Sequence, residues 1–329
     1  MKAKTYNTIF FIIGLATLVY MTYKIGLPVI YLNIVKTGYW FIPVIGSWLI
    51  IYFLNALALR EIIFERKIPH TDVALLPVLK LTISGYAINY ITPFIALGGE
   101  PYRVMELRDR LGINKATSSV LLYTFMHIFS HIVFWMVSIV LILVFLHPGV
   151  DALIACLVTF LVFFALLFWV FKKYKKGLLM VTLRAVARIP FLKTRMNSFI
   201  EKRIHNLNEI DQHIIELFSL RKGTFYAALA FEFFGRVVGC LEIYFIAVAL
   251  GSNVSLLDSI IISAGSSLFA NLIFFSPMQL GAREGGFVLA LRSIGVAGGV
   301  GLFMSLVTRI REIVWIVIGL LLMRVKTKI

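Results

Sequence analysis

The chain has 329 residues, 60% of them hydrophobic and only 15% charged, and its mean hydropathy is +0.93. Soluble domains sit nearer half apolar and a quarter charged, so an ordinary soluble fold is excluded. The formal net charge is +16, and residues 172–222 hold twelve Lys/Arg against four Asp/Glu, a surplus that supplies half of it. Without a folded or repetitive basic module this clustering speaks against nucleic acid as a partner and for a loop facing anionic headgroups.

In chain order the apolar segments are Thr8 to Tyr23, Tyr39 to Leu59, Val73 to Leu97, Ala116 to Leu146, Ala152 to Phe171, Thr224 to Leu250, Ser259 to Leu280 and Gly299 to Met323. Each is near the roughly 20 residues that cross a hydrocarbon core as a helix, and their unbroken apolarity excludes a β-barrel. The first follows Lys2 and Lys4 without a small-residue cleavage site, and reads as a span. Lys24 and Lys36 flank the connection to the second. Cys156 and Cys240 sit inside apolar stretches and imply neither a disulfide framework nor a metal site.

Lys/Arg bias places the termini, the Arg60–Lys67 loop, the Arg103–Lys115 stretch and the 172–222 loop on the cytoplasmic side. Three apolar segments separate the Arg60 loop from the 172–222 loop, and three more separate that loop from the tail. Each trio must then contain one segment that enters and leaves by the same face. Val73–Leu97 has Pro77, Lys80, Ser84, Gly85, Asn89 and Pro93, and Ser259–Leu280 has Ser263, Gly265, Ser266, Ser267, Asn271 and Pro277. These residues break helices and leave backbone groups to satisfy. The expected fold is an all-α integral membrane protein with six full spans and two re-entrant broken hairpins. It forms one membrane domain with an inverted repeat, 1–151 and 152–329. Pro93-x6-Glu100 and Pro277-x6-Glu284 share their spacing, and Gly112 and Gly295 follow each. The 172–222 loop alternates apolar and basic residues, as one or two amphipathic helices on the cytoplasmic leaflet would.

Charged and glycine-rich clusters follow both broken segments. Gly98-Gly99-Glu100-Pro101-Tyr102-Arg103 combines close backbone approach, a helix N-terminus and a planar guanidinium, the elements of a phosphate site. An interfacial helix cap is the plainer reading. Gly281-Ala282-Arg283-Glu284-Gly285-Gly286 repeats the arrangement; its plainer reading is a surface turn. Ionisable residues inside spans are costly and mark sites by default. Glu232 and Arg236 stand i, i+4, with Glu242 further along; Arg309 and Glu312 stand i, i+3 with Arg311 between. Self-neutralising pairs on one helix are the plainer reading, and Arg309 is the cation expected to approach the second hairpin. His127 and His131 share a face, but Ile128 stands where H-E-x-x-H has its glutamate, so no metal is expected. Gly281/Gly285 and Gly295/Gly299 fit G-x-x-x-G, a signal for close helix approach. No G-x-x-x-x-G-K-[ST] run is present, and no cofactor is expected.

Through ITPFIALGGEPYRVMELRDRLGI (Ile91 to Ile113), SPMQLGAREGGFVLALRSIGV (Ser276 to Val296) and Arg309, the chain resembles the lysylphosphatidylglycerol synthase transmembrane-region family, also called flippase-like. The resemblance implies a bacterial cytoplasmic-membrane protein that moves an anionic or aminoacylated phospholipid, or a related lipid phosphate, between leaflets. It carries Gly98, Gly99, Glu100, Arg103, Gly281, Glu284, Gly285, Gly286 and Arg309 over as matching positions. In that family a separate soluble C-terminal domain does the aminoacyl transfer. Only six residues follow Met323 here, so the translocating half without synthase activity is expected. Two alternatives stand beside it: a non-catalytic scaffold for a separate synthase or glycosyltransferase, and a headgroup-modifying enzyme with Glu100 as base and His127 or His131 as its partner.

Overall fold

The computed structural model describes residues 19, 23, 26–65, 69–92, 98–146, 148–174, 177–189, 193–272, 282–296 and 298–325. Among these the regular structure is helical throughout, without a strand. Most of the first expected span, Thr8 to Tyr23, lies outside the described residues, as do Pro93, Pro277 and Gly281.

Helix α1 (Leu27–Thr37) occupies the stretch that the sequence reading gave to a connection between Lys24 and Lys36. Its proline sits in the first turn, where a missing N–H costs nothing, and no other breaker follows before Gly38. Gly38, at φ +58, ends the helix, and a single 3-10 turn, Gly38–Trp40, passes the chain into α2 (Phe41–Ile63). Lys36 is accommodated by laying its ammonium over the Phe303 ring, 4.9 Å from the centroid. The connection therefore shrinks to one turn, and Leu27–Ile63 runs as one largely apolar stretch of 37 residues.

Two short helices follow, α3 (Leu75–Ile91) and α4 (Gly99–Leu111). They pack antiparallel: Gly98 meets Thr92 and Ile88, Gly99 meets Asn89 and Gly85, and Arg103 lies against Gly85. Gly112, at φ +76, turns the chain into α5 (Ile113–Phe145), whose 33 residues extend roughly 50 Å, longer than a bilayer core. Next comes α6 (Val150–Lys173), apolar on every side and burying only Val170 against the rest of the protein. A helix of that kind has lipid for its solvent.

The basic loop contains α7 (Leu178–Val186) and α8 (Lys193–Ser219), the latter kinked at Arg203. They close on each other through Met180, Ile200 and Leu207. Asp211 accepts hydrogen bonds at 2.8 Å from the Leu179 and Met180 amides, filling the N-terminal donors of α7 from the neighbouring helix. Gly177, at φ +82, lies so close to that carboxylate that no side chain fits there.

Helices α9 (Lys222–Ala249), α10 (Leu256–Leu272), α11 (Ala282–Ser293) and α12 (Gly298–Arg324) complete the bundle. The segment expected to run from Ser259 to Leu280 is helical to Leu272, and 273–281 lies outside the described residues. Like α3 and α4, α10 and α11 run antiparallel, with Phe269 against Gly285, Ser266 against Gly286 and Gly265 against Ala290. Among the described residues three stretches are long and apolar enough to cross a membrane by themselves: Leu27–Ile63, Ile113–Phe145 and Val150–Lys173. Helices α9 and α12 have the length, 28 and 27 residues, but Glu232, Arg236 and Glu242 interrupt the first, and Arg309, Arg311 and Glu312 the second.

Small residues set the close approaches between helices. Gly235 of α9 receives Asn55 of α2, and Gly319 of α12 lies on Ala87 and the Ile83 carbonyl of α3. The G-x-x-x-G pair Gly295/Gly299 does not act this way. Gly295 has φ +76 in the turn after α11, and neither glycine has a neighbour within 4 Å of where a Cβ would stand.

A polar knot ties the ends of α2, α5 and α9. Arg221 donates to the carbonyls of Glu61 and Ile62, at 3.1 and 3.3 Å, and to Glu65 Oε1 at 3.1 Å; Lys115 pairs with the same carboxylate. Burial by itself would raise the Glu65 carboxyl, but Lys115 and Arg221 outweigh it and hold it below its ordinary value. A depressed folded-state value stabilises above the unfolded value and is lost as pH falls through the folded one. Acidification from neutrality to below the ordinary carboxylate range is therefore expected to lower the hydrogen-exchange protection factors, corrected for the slower intrinsic exchange in acid, at Glu61 to Phe64 in detergent-solubilised protein. Glu65→Gln should show that lower protection already at neutral pH.

Two buried charge networks between the helix pairs

The first network starts at the N-terminus of α4. Asn89 of α3 accepts the Gly99 N–H at 2.7 Å and donates to Glu100 Oε1 at 3.3 Å, so the first amide expected to favour an anion is already taken by the protein. Arg103, one turn on, donates through Nη1 to the same Glu100 oxygen at 3.1 Å. Its guanidinium, 1% exposed, lies over the rings of Tyr86 and Tyr123, 5.1 and 5.2 Å from their centroids. A Cβ on Gly85 would stand 2.5 Å from Arg103 Nε, so glycine there is what admits the side chain. Arg103 Nε and Nη2 and Glu100 Oε2 are buried and have no hydrogen-bond partner among the described residues. A buried guanidinium costs several kcal/mol of desolvation, which one carboxylate and two aromatic faces offset only in part. The remaining edge, Nε with Nη2, is the pair of parallel donors that a phosphate or carboxylate accepts side-on.

Tyr86 extends the network inward. Its hydroxyl accepts from Asn55 Nδ2 at 2.9 Å and lies 3.1 Å from both the Tyr123 hydroxyl and His127 Nδ1. His127 Nδ1 is also 2.7 Å from Glu232 Oε2. Arg236 stands 3.8 Å from that carboxylate, and its stronger bonds go to α5: Ser130 Oγ at 2.8 Å, His131 Nε2 at 2.7 Å and the His127 carbonyl at 2.7 Å. The His131 ring packs on Trp135, whose indole N–H donates to Ser267 of α10 at 3.0 Å. A continuous run of polar and aromatic groups thus leads from α4 to α10.

The second network belongs to α9, α11 and α12. Glu284 accepts from Arg309 Nε and Nη2 at 2.9 and 2.8 Å and from Ser305 Oγ at 3.0 Å. Arg283 pairs with Glu312, which lies 3.9 Å from Arg311 Nη1. Arg311 forks onto Glu242 at 2.8 and 3.1 Å and stacks 3.7 Å from the Trp48 ring, whose N–H donates to Glu242 at 2.6 Å. Gly286 packs on the Ser266 backbone behind Glu284, and Gly285 against Phe269.

The sequence reading expected Arg309 to approach the second hairpin and gave its pairing with Glu312 along α12 as the plainer alternative. Instead Arg309 takes Glu284 and Glu312 takes Arg283, because that face of α12 lies against α11 and interhelical geometry wins over i, i+3 spacing. Nor do His127 and His131 partner Glu100, as the enzyme alternative required; they engage Glu232 and Arg236. Among the described residues no three His, Cys, Asp or Glu converge as metal ligands. Arg103 and Arg309 stand in different networks, between which run the rings of Trp48, Tyr52 and Tyr86, 5.6 and 5.4 Å apart in succession. At the end of α3, Tyr90 meets the second network, edge-on to Trp48 and beside Arg311. Tyr86, Tyr123, Asn55 and Trp48 were missed in the sequence, and Asn89 was read only as a helix breaker. The legible signal was polarity inside an apolar segment, at Asn55 and Asn89.

The model of the family described as "Lysylphosphatidylglycerol synthase TM region" matches residues 8–320. The chain belongs to this family. No curated protein and no solved structure gives a match. As a member of the lysylphosphatidylglycerol synthase transmembrane-region family, the chain is a helical membrane protein tied to phospholipid modification or translocation. The matched range takes in both networks, including Arg103, Glu232, Glu284 and Arg309.

Proposed function

We propose that the protein moves an anionic phospholipid or lipid phosphate between the leaflets of a bacterial cytoplasmic membrane, with the headgroup phosphate on the Nε/Nη2 edge of Arg103. The observation that carries the reading is this edge: a guanidinium 1% exposed, with two donor nitrogens left without a protein partner. Glu100 and the two tyrosines orient the cation, and Glu100 Oε2 accepts from a hydroxyl or ammonium on the same headgroup. Glu284 and Arg309 form the matching point on the second helix pair.

In this reading α3/α4 and α10/α11 are re-entrant, six other segments cross fully, and both termini are cytoplasmic. The two pairs are the repeats of an inverted architecture, rocking about the aromatic seam. Without a nucleotide-binding motif in the sequence, movement is passive or driven by an ion gradient.

The test uses purified protein in liposomes that carry fluorescent phosphatidylglycerol, scored by the fluorescence that dithionite cannot reach. Wild type is expected to deplete the protected pool faster than protein-free vesicles, and Glu284→Gln and Arg309→Ala to slow it. Equal depletion with and without protein, across several anionic lipids, would sink the proposal.

A further inference from the structure

We propose that the His127–Glu232 pair is a proton site, and that the anionic headgroup and one proton bind together as a symport. This rests on the headgroup binding at Arg103 proposed above. The pair lies in the heart of the first network and has no part in holding the headgroup. Glu232 is 1% exposed, and one of its oxygens, Oε1, has no hydrogen-bond partner among the described residues. Its other oxygen is 2.7 Å from His127 Nδ1. The His127 side chain is 29% exposed, so a proton reaches the sealed carboxylate by way of the imidazole.

Charge balance makes the proton and the anion partners. The groups facing the pair are Arg236 from its own helix, His131 and Tyr123 from α5, Tyr86 from α3, and Arg103 with Glu100 from α4; Asn55 of α2 is polar but does not titrate. With both histidines neutral, Arg103 and Arg236 cancel Glu100 and Glu232. A proton arriving alone leaves one uncompensated positive charge in a low-dielectric interior, and a phosphodiester arriving alone leaves one negative charge. Together they leave none.

The path between the sites is one ring long. The Arg103 guanidinium is 5.1 Å from the Tyr86 centroid, and that centroid is 5.8 Å from the His127 ring. The phosphate lies about 4 Å beyond the guanidinium, so two unit charges up to about 15 Å apart, at an effective dielectric near 20, favour joint binding by about sixfold. Linkage requires reciprocity: the headgroup tightens the proton about as much as the proton tightens the headgroup.

The experiment adds short-chain phosphatidylglycerol to weakly buffered, detergent-solubilised protein at a series of pH values from about 5 to 9. A soluble pH dye reports proton uptake, and tryptophan fluorescence reports binding in the same cuvette. A sixfold coupling gives uptake of roughly 0.4 proton per protein at the midpoint of the titration. Glu232→Gln is expected to bind the lipid with no uptake and with a flat pH dependence. Binding to wild type without proton uptake at any pH would overturn the symport and leave translocation standing. Failure of wild type to bind the lipid at all would overturn both. The wild-type result decides the matter even if Glu232→Gln fails to fold.

Discussion

Arg103→Lys is expected to reduce lipid movement in reconstituted vesicles by tenfold or more while the protein still folds and inserts. Lysine keeps the charge and the salt link to Glu100, but an ammonium offers no parallel pair of donors and stacks poorly between two tyrosines. A hydrogen bond to a charged group contributes about 1.5–3 kcal/mol, and 1.4 kcal/mol is a factor of ten, so losing one arm of the fork reaches that figure. The measurement is the rate at which protected fluorescence disappears, normalised to inserted protein. A rate within twofold of wild type would remove the Nε/Nη2 edge from the mechanism.

Gly99→Ala is expected to produce the largest loss of stability among single-methyl additions. A Cβ at Gly99 would collide with the Gly85 carbonyl and lie 2.8 Å from Asn89 Oδ1, so both neighbours are parts of the helix pair itself and neither can swing aside. Overpacking of this kind costs about 1–3 kcal/mol, and each kcal/mol lowers the melting temperature of a chain of this size by about 2–4 °C. The built-in control is Gly299→Ala, where nothing lies within 4 Å and alanine improves helix propensity. Thermal melting of both variants in one detergent should show a fall for the first and no fall for the second.

Much of the fold was legible because the bilayer imposes simple rules. Continuous apolar runs marked the helices, but Pro77, Lys80, Ser84, Gly85 and Asn89 lie inside an unbroken α3, and Ser263, Gly265, Ser266, Ser267 and Asn271 inside an unbroken α10. Polar side chains there are satisfied within the bundle without breaking the helix. The connection between Lys24 and Lys36 was misread because two lysines looked like a boundary, whereas Lys36 finds an aromatic face on α12. At the site, the charged residues could be read because each is expensive in an apolar segment. Within one helix the Glu232–Arg236 pair could be read from spacing; partners on other helices could not. Pairing Arg309 with Glu284 and Arg283 with Glu312 depends on how α11 is rotated against α12, which residue spacing within one helix does not encode. Tyr86, Tyr123 and Trp48 look like ordinary apolar filling until the neighbouring helices bring a guanidinium over each ring.

The second network carries an evolutionary consequence. Arg283, Arg309 and Arg311 stand against Glu242, Glu284 and Glu312, three cations and three anions in the interior of one bundle. Loss of any single member strands its opposite charge, at a cost of about 3–5 kcal/mol, comparable with the whole margin of many folded domains. Drift at these six positions must therefore be concerted. Losing one arginine is expected to cost less when the glutamate opposite it on another helix changes too, so substitutions here are expected in cation–anion pairs.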